Sequence, residues 1–141
     1  MKNKNYWIWA GVIGLIALIA AYIVGSRTGK ANKVAGPADQ LAKEINTGGL
    51  SFELSQYETF AQKIHVAFSE IFVDKQTIYS VFTKLRSKDD VLQLIKTFGT
   101  RDLIFGIDNY TLPGWIGYSF NTSETEELNS ILSRNNIDYQ F

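Results

Sequence analysis

Residues 55–71 read SQYETFAQKIHVAFSEI. Tyr57, Phe60, Ala61, Ile64, Ala67, Phe68 and Ile71 recur in it at intervals of three and four. That is the repeat of one face of an α-helix. Ser55-Gln-Tyr-Glu58 in front of the stripe has the form of a capping box, in which the serine hydroxyl takes an orphan N–H and the glutamate reaches back. The spacing predicts a helix whose apolar side needs neighbours to cover it.

The chain downstream supplies them. Asp74 can cap a second helix with Ile78, Val81, Phe82 and Leu85 inward. Ser87-Lys-Asp-Asp90 starts a third, which carries Val91, Leu92, Leu94, Ile95 and Phe98 and ends at Gly99. Thr111-Leu-Pro113 opens a short fourth with Trp115, Ile116 and Phe120, since proline in a first turn sacrifices no hydrogen bond. Ser123-Glu-Thr-Glu126 is the predicted cap of a fifth, with Leu128, Ile131 and Leu132 inward. Asn135-Asn136 suits a left-handed stop, and Ile137, Tyr139 and Phe141 are expected to fold back onto the bundle. Between the third and fourth helices, Leu103, Phe105 and Ile107 alternate as in an extended segment.

Upstream the character changes. Residues 6–25, YWIWAGVIGLIALIAAYIVG, hold no charge, no proline and no amide side chain. Twenty helical residues span roughly 30 Å, the thickness of a bilayer's hydrocarbon core. Tyr6, Trp7 and Trp9 at one end and Tyr22 near the other suit the headgroup region. Lys2, Lys4, Arg27 and Lys30 can reach the phosphate layers on the two sides. The expectation is a retained single-pass transmembrane helix, and so a membrane location. A cleaved signal peptide and a buried core helix compete with it. The apolar run exceeds the usual signal h-region of roughly 7–15 residues, and a core helix this apolar needs a larger domain around it. Ala17, Ala21 and Gly25 recur every fourth position and could form a helix–helix contact face. Cations on both flanks leave the orientation open.

Charge divides along the same line. The first 33 residues carry five cations and no acid, and the remaining 108 carry nine basic and fourteen acidic residues. The zero net charge is the sum of a basic arm and an acidic domain. The absence of cysteine removes disulfides, thiolate metal sites and a cysteine nucleophile. The organisation read from sequence is therefore a membrane helix over 1–25, a basic linker with a short helix over 26–49, and an all-α bundle of about five short helices over 50–141.

No constellation for catalysis is visible. His65 is the single histidine, one step off the apolar stripe and without a nucleophile beside it. Asp89-Asp90, Glu124, Glu126 and Glu127 fall at predicted helix starts, where anions complement the dipole. Neither metal nor cofactor is expected. Nucleic acid is not an expected partner of an acidic domain in which only Lys84, Arg86 and Lys88 cluster. Among the aromatics Tyr57, Tyr79, Tyr110, Trp115 and Tyr118, an exposed contact patch is one possibility and core the other.

The run Asp74-Lys-Gln-Thr-Ile78-Tyr79-Ser-Val81-Phe82, then Asp90-Val91-Leu92-Gln-Leu94-Ile95-Lys-Thr-Phe98-Gly99-Thr100-Arg101, then Trp115-Ile116 and Glu126-Glu127-Leu128-Asn129-Ser130-Ile131-Leu132, resembles the annexin repeat. From about Leu41 onward the chain is also similar to small proteins of Bacteroidetes bacteria and their phages. The resemblance implies a five-helix unit behind one membrane helix, with bilayer lipid and a capsid or envelope protein as partners. A minor virion protein linking an internal phage membrane to its capsid is the specific form. A bacterial envelope protein and an annexin-like lipid-binding module are the alternatives. Calcium is not expected. The stretch Ser69-Glu-Ile-Phe-Val-Asp74, which the resemblance aligns with the calcium loop, has no glycine, Leu112 and Pro113 stand about where the distant acid belongs, and Asp108 is only nearby.

Overall fold

The computed structural model describes residues 42–102 and 109–141. The expected membrane span, with Lys2, Lys4, Tyr6, Trp7, Trp9, Ala17, Ala21, Tyr22, Gly25, Arg27 and Lys30, lies outside them, as do Leu103, Phe105 and Ile107. Among the described residues no helix is long and apolar enough to cross a membrane.

The described chain is mostly helical. Helices α1 (Leu54–Ser69), α2 (Lys75–Phe82) and α3 (Lys88–Phe98) are followed by two-residue strands β1 (Thr100–Arg101) and β2 (Tyr110–Thr111). Helices α4 (Leu112–Ser119) and α5 (Thr122–Arg134) complete it. The strands pair antiparallel, Thr100 with Thr111 and Arg101 with Tyr110. Helix α1 packs on α2 and α3, α2 also meets α5, and α4 sits against β2 and α3.

The apolar periodicity accounts for the core. Tyr57, Phe60, Ala61, Ile64, Ala67 and Phe68 of α1 are all buried. They meet Ile78, Val81 and Phe82 of α2, the apolar side of α3, and Trp115 and Ile116 of α4. Phe68 stacks on Trp115 with ring centroids 5.7 Å apart, and the Trp115 indole N–H donates to the Arg101 carbonyl at 3.1 Å. One tryptophan thus closes the apolar core and holds the strand beside it. Ile137 and Tyr139 are buried, and Phe141 stands edge-on to Phe82 at 5.3 Å, so the terminal residues do fold back.

Four local expectations are corrected. Ser55 does not cap α1. Glu53 is the residue before the helix and makes no side-chain cap bond, and Ser55 lies within the first turn. Helix α5 starts two residues earlier than Ser123-Glu126 implies. Its capping box pairs Asn121 with Glu124, because asparagine there accepts the Glu124 N–H at 3.0 Å. Ile71 does not extend the α1 stripe. The helix ends at Ser69, Glu70 is extended, and Ile71 is 95% exposed.

Helix α2 ends at Phe82, so Leu85 is buried from the turn beyond the helix and not from its face. The remaining boundaries follow the expected chemistry. Asp74 caps α2 by accepting the Thr77 N–H, Ser87 and Asp90 form the α3 capping box, and Thr111 caps α4. Gly99 ends α3 at φ +60°, and Asn136 takes the left-handed turn after α5 at φ +57°. The packed unit reaches back to Ile45, which is buried, and includes a turn of 3-10 helix at Thr47–Gly49.

Candidate functional site

The most concentrated polar chemistry lies at the start of α3. Asp90 is fully buried. Its Oδ1 accepts from the Ser51 N–H at 2.8 Å and the Tyr57 hydroxyl at 2.6 Å, and its Oδ2 from the N–H groups of Arg86 at 2.8 Å and Ser87 at 3.2 Å. Burial pushes the Asp90 carboxyl up. Hydrogen bonds from Tyr57, Ser51 and Arg86 outweigh burial and hold it below the usual carboxylate range. Burial and the same partner push the Tyr57 phenol up. Among the described residues no buried side-chain polar atom is without a hydrogen-bond partner, and the bonds of this centre fasten α1, α3 and residues 49–51 together.

Its neighbours serve the same end. Asp89 Oδ1 accepts the Asn46 N–H at 2.9 Å, and the Ser87 hydroxyl donates to the Gly49 carbonyl at 3.1 Å. Sequence reasoning placed both aspartates at a helix start and missed this role. The capping-box position of Asp90 was legible locally, but its donors Ser51 and Tyr57 lie 39 and 33 positions away, and no local pattern marks them.

Between α1 and α3 runs an open polar cleft of about 950 Å³, edged by Glu58, Lys63, Lys96 and Arg101. Arg101 is fixed there, its Nε donating to the Phe98 carbonyl at 3.0 Å and Nη1 to Gln62 Oε1 at 2.9 Å. Two of the cleft's hydroxyls are engaged: Thr59 donates to the Ser55 carbonyl and Thr97 accepts from Gln93. His65 is half-buried, with Nε2 3.0 Å from the Asp102 carbonyl, which places its proton on Nε2. Among the described residues no three His, Cys, Asp or Glu side chains gather closely enough to hold a metal ion.

The loop between α1 and α2 is the conspicuous surface. Ile71 is 95% exposed and Phe72 88%. The loop is not slack. The Asp74 N–H donates to the Ala67 carbonyl at 3.0 Å, closing its two ends. The Asp74 carboxylate accepts from both N–H and hydroxyl of Thr77, and Val73 turns inward against the core. Those hydrogen bonds hold its carboxyl low. With both ends fixed and Val73 taking the inward position, Ile71 and Phe72 are carried into water. Leu112 is buried and Pro113 half-buried, and Asp108 lies outside the described residues. Of the aromatics, Tyr57 and Trp115 are core, Tyr79 and Tyr110 are half-buried, and Tyr118 is 68% exposed.

No family model, no curated protein and no solved structure matches this chain.

Proposed function

We propose that this protein is a non-enzymatic structural or adaptor protein, anchored by residues 6–25 in a bilayer, whose helical head makes a contact beside it. Support for the anchor is the uncharged stretch and its aromatic and cationic flanks. Support for the contact, and the observation that carries the reading, is the pinned loop that exposes Ile71 and Phe72. Two large apolar side chains held in water on a closed loop mark a contact surface. The resemblance to annexin repeats and to small phage and Bacteroidetes proteins supports a virion form, in which the head joins an internal membrane to a capsid shell. A tether of twelve residues, 26–37, has a root-mean-square reach of about 20 Å.

Alkaline carbonate washing of membranes tests the anchor. Full-length chain is expected in the pellet; intact chain in the supernatant, or a mature amino terminus beyond Gly25, overturns it. Mass spectrometry of purified virions beside host membranes tests the virion form, which falls if the protein occurs only in uninfected cells.

A further inference from the structure

Helix α2 has unlike ends. At its start the loop carries Ile71 and Phe72 outward, with the exposed acids Glu70 and Asp74 on either side. Lys75, the next residue, is already paired with Glu124. At its other end opens a pocket of about 390 Å³, lined by Phe52, Thr83, Lys84, Leu85, Arg86 and Asn135.

The floor of that pocket is apolar. Leu85 is buried, and Phe52 packs edge-on against Tyr57 and Phe60 with centroids 5.9 and 5.4 Å away. The rim is cationic. Lys84 and Arg86 are exposed, and among the described residues neither is in an ion pair. One wall is braced, since the Asn135 side chain donates to the carbonyls of Thr83 at 3.1 Å and Leu85 at 2.9 Å. This is the basic cluster that the sequence showed around a helix–helix turn.

We infer that the Ile71–Phe72 loop of one copy seats in the Lys84–Arg86 pocket of a second copy, joining heads end to end. Shape and charge agree: an apolar pair flanked by carboxylates meets an apolar floor rimmed by cations. The volume lies within the range of pockets that hold small apolar groups. Plug and socket stand about 12 Å or more apart along α2, so one copy can use both. A copy whose plug and socket engage two different neighbours makes a heterologous contact that extends into rings or rows, whereas two copies that engage reciprocally close as a two-fold dimer. A bilayer suits the loop less well, because Glu70 and Asp74 would face anionic headgroups. The inference names the partner for the contact half of the proposed function and needs nothing from its bilayer half.

Sedimentation velocity of the full chain in detergent micelles, across a concentration series, tests it beside Phe72→Glu and Arg86→Glu. Both replace exposed side chains, and circular dichroism checks that each remains helical. Wild-type mass is expected to rise with concentration. Each variant is expected to associate at least about tenfold more weakly, the loss that truncating one central interface side chain produces. An equimolar mixture of the two variants has one intact plug and one intact socket, so it is expected to give dimers and nothing larger. A monomeric wild type, association that ignores both variants, or a mixture that stays monomeric overturns the inference. Association through residues 6–25 shows itself as the second of these. Phe72-dependent attachment of monomers to phosphatidylcholine vesicles overturns the second copy as occupant and leaves the adaptor reading standing. Loss of every Phe72-dependent contact removes both.

Discussion

The hydroxyl of Tyr57 donates to Oδ1 of Asp90 at 2.6 Å, and both residues are buried. They lie 33 positions apart, on α1 and at the start of α3. The bond joins the two helices that make the centre of the bundle. It also gives a buried carboxylate its fourth donor, and among the described residues Asp90 is in no ion pair. The charge persists because Arg86 and Ser87, just before α3, and Ser51 aim backbone N–H groups at it.

Replacing Asp90 by asparagine sets an NH2 group against donors. One pair of donors, Ser51 N–H with the Tyr57 hydroxyl or the N–H groups of Arg86 and Ser87, loses its acceptor in a buried site. A bond to a charged group contributes about 1.5–3 kcal/mol, so Asp90→Asn is expected to cost about 3 kcal/mol or more. Tyr57→Phe removes one donor and leaves the others, with an expected cost of about 1.5–3 kcal/mol. Urea unfolding of the full chain in detergent measures both as a lower midpoint at unchanged slope. A midpoint for Asp90→Asn equal to that of the parent protein removes the role given to this carboxylate.

The same group sets an acid limit. Its folded carboxyl titrates below the ordinary value of 3.8. A depressed folded value means that the stabilisation is fully present above the unfolded value and is lost as pH falls through the folded one. Glu124 and Asp74, held low chiefly by the Lys75 and Thr77 hydrogen bonds respectively, act in the same direction from 4.5 and 3.8 downward. Stability is therefore expected to be flat down to the ordinary carboxylate range and to fall below it. In Asp90→Asn the acid slope should be shallower. Thermal unfolding between neutral pH and strong acid checks this, and identical slopes in the two proteins exclude Asp90 as the source.

Gly99 sits at φ +60° and ψ −136°, a conformation that side-chain-bearing residues rarely enter. A Cβ placed there meets nothing nearer than the Lys96 carbonyl oxygen at 4.0 Å. The cost of Gly99→Ala is thus conformational rather than steric, about 1–3 kcal/mol. Asn136, at φ +57°, lies in the left-handed helical region that asparagine tolerates, and Asn136→Gly should move the midpoint by only a few tenths of a kcal/mol. Equal effects of the two substitutions contradict the assignment of strain to Gly99.

What the sequence disclosed follows from where the information lay. The helix faces were legible because burial of residues such as Phe60, Ile64, Val91 and Leu128 repeats with the helical period. The caps at Asp74, Ser87 and Thr111 were legible because each acts within three residues of itself. Ser55 and Ser123 were misread because a nearby alternative start, Glu53 or Asn121, places the first turn elsewhere, and box patterns in polar stretches overlap. Ile71 was misread because periodicity does not mark where a helix ends. The closure from Asp74 to Ala67 cuts α1 off before Ile71 comes round to the core. Asp90 was placed on the right element without its meaning, since its donors Ser51 and Tyr57 come from far along the chain.

Gly49 and Asp89 give a prediction in which non-additivity is the signal. A Cβ at position 49 would lie 2.6 Å from Asp89 Oδ2, inside any tolerated approach. The carboxylate would have to swing away, and its other oxygen holds the Asn46 N–H at 2.9 Å. Gly49→Ala therefore costs that hydrogen bond rather than a backbone conformation, and about 1 kcal/mol is expected. Asp89→Ala loses the same bond, together with a favourable charge in the first turn of α3, for about 1–2 kcal/mol. Once Asp89 is gone, the new methyl group has space. The double variant should then fall short of the summed single effects by about 0.5–1 kcal/mol, as expected for two changes that share one contact. Unfolding midpoints of the four proteins measure this difference. Strictly additive values would mean that residues 46–49 are held against α3 by something other than Asp89.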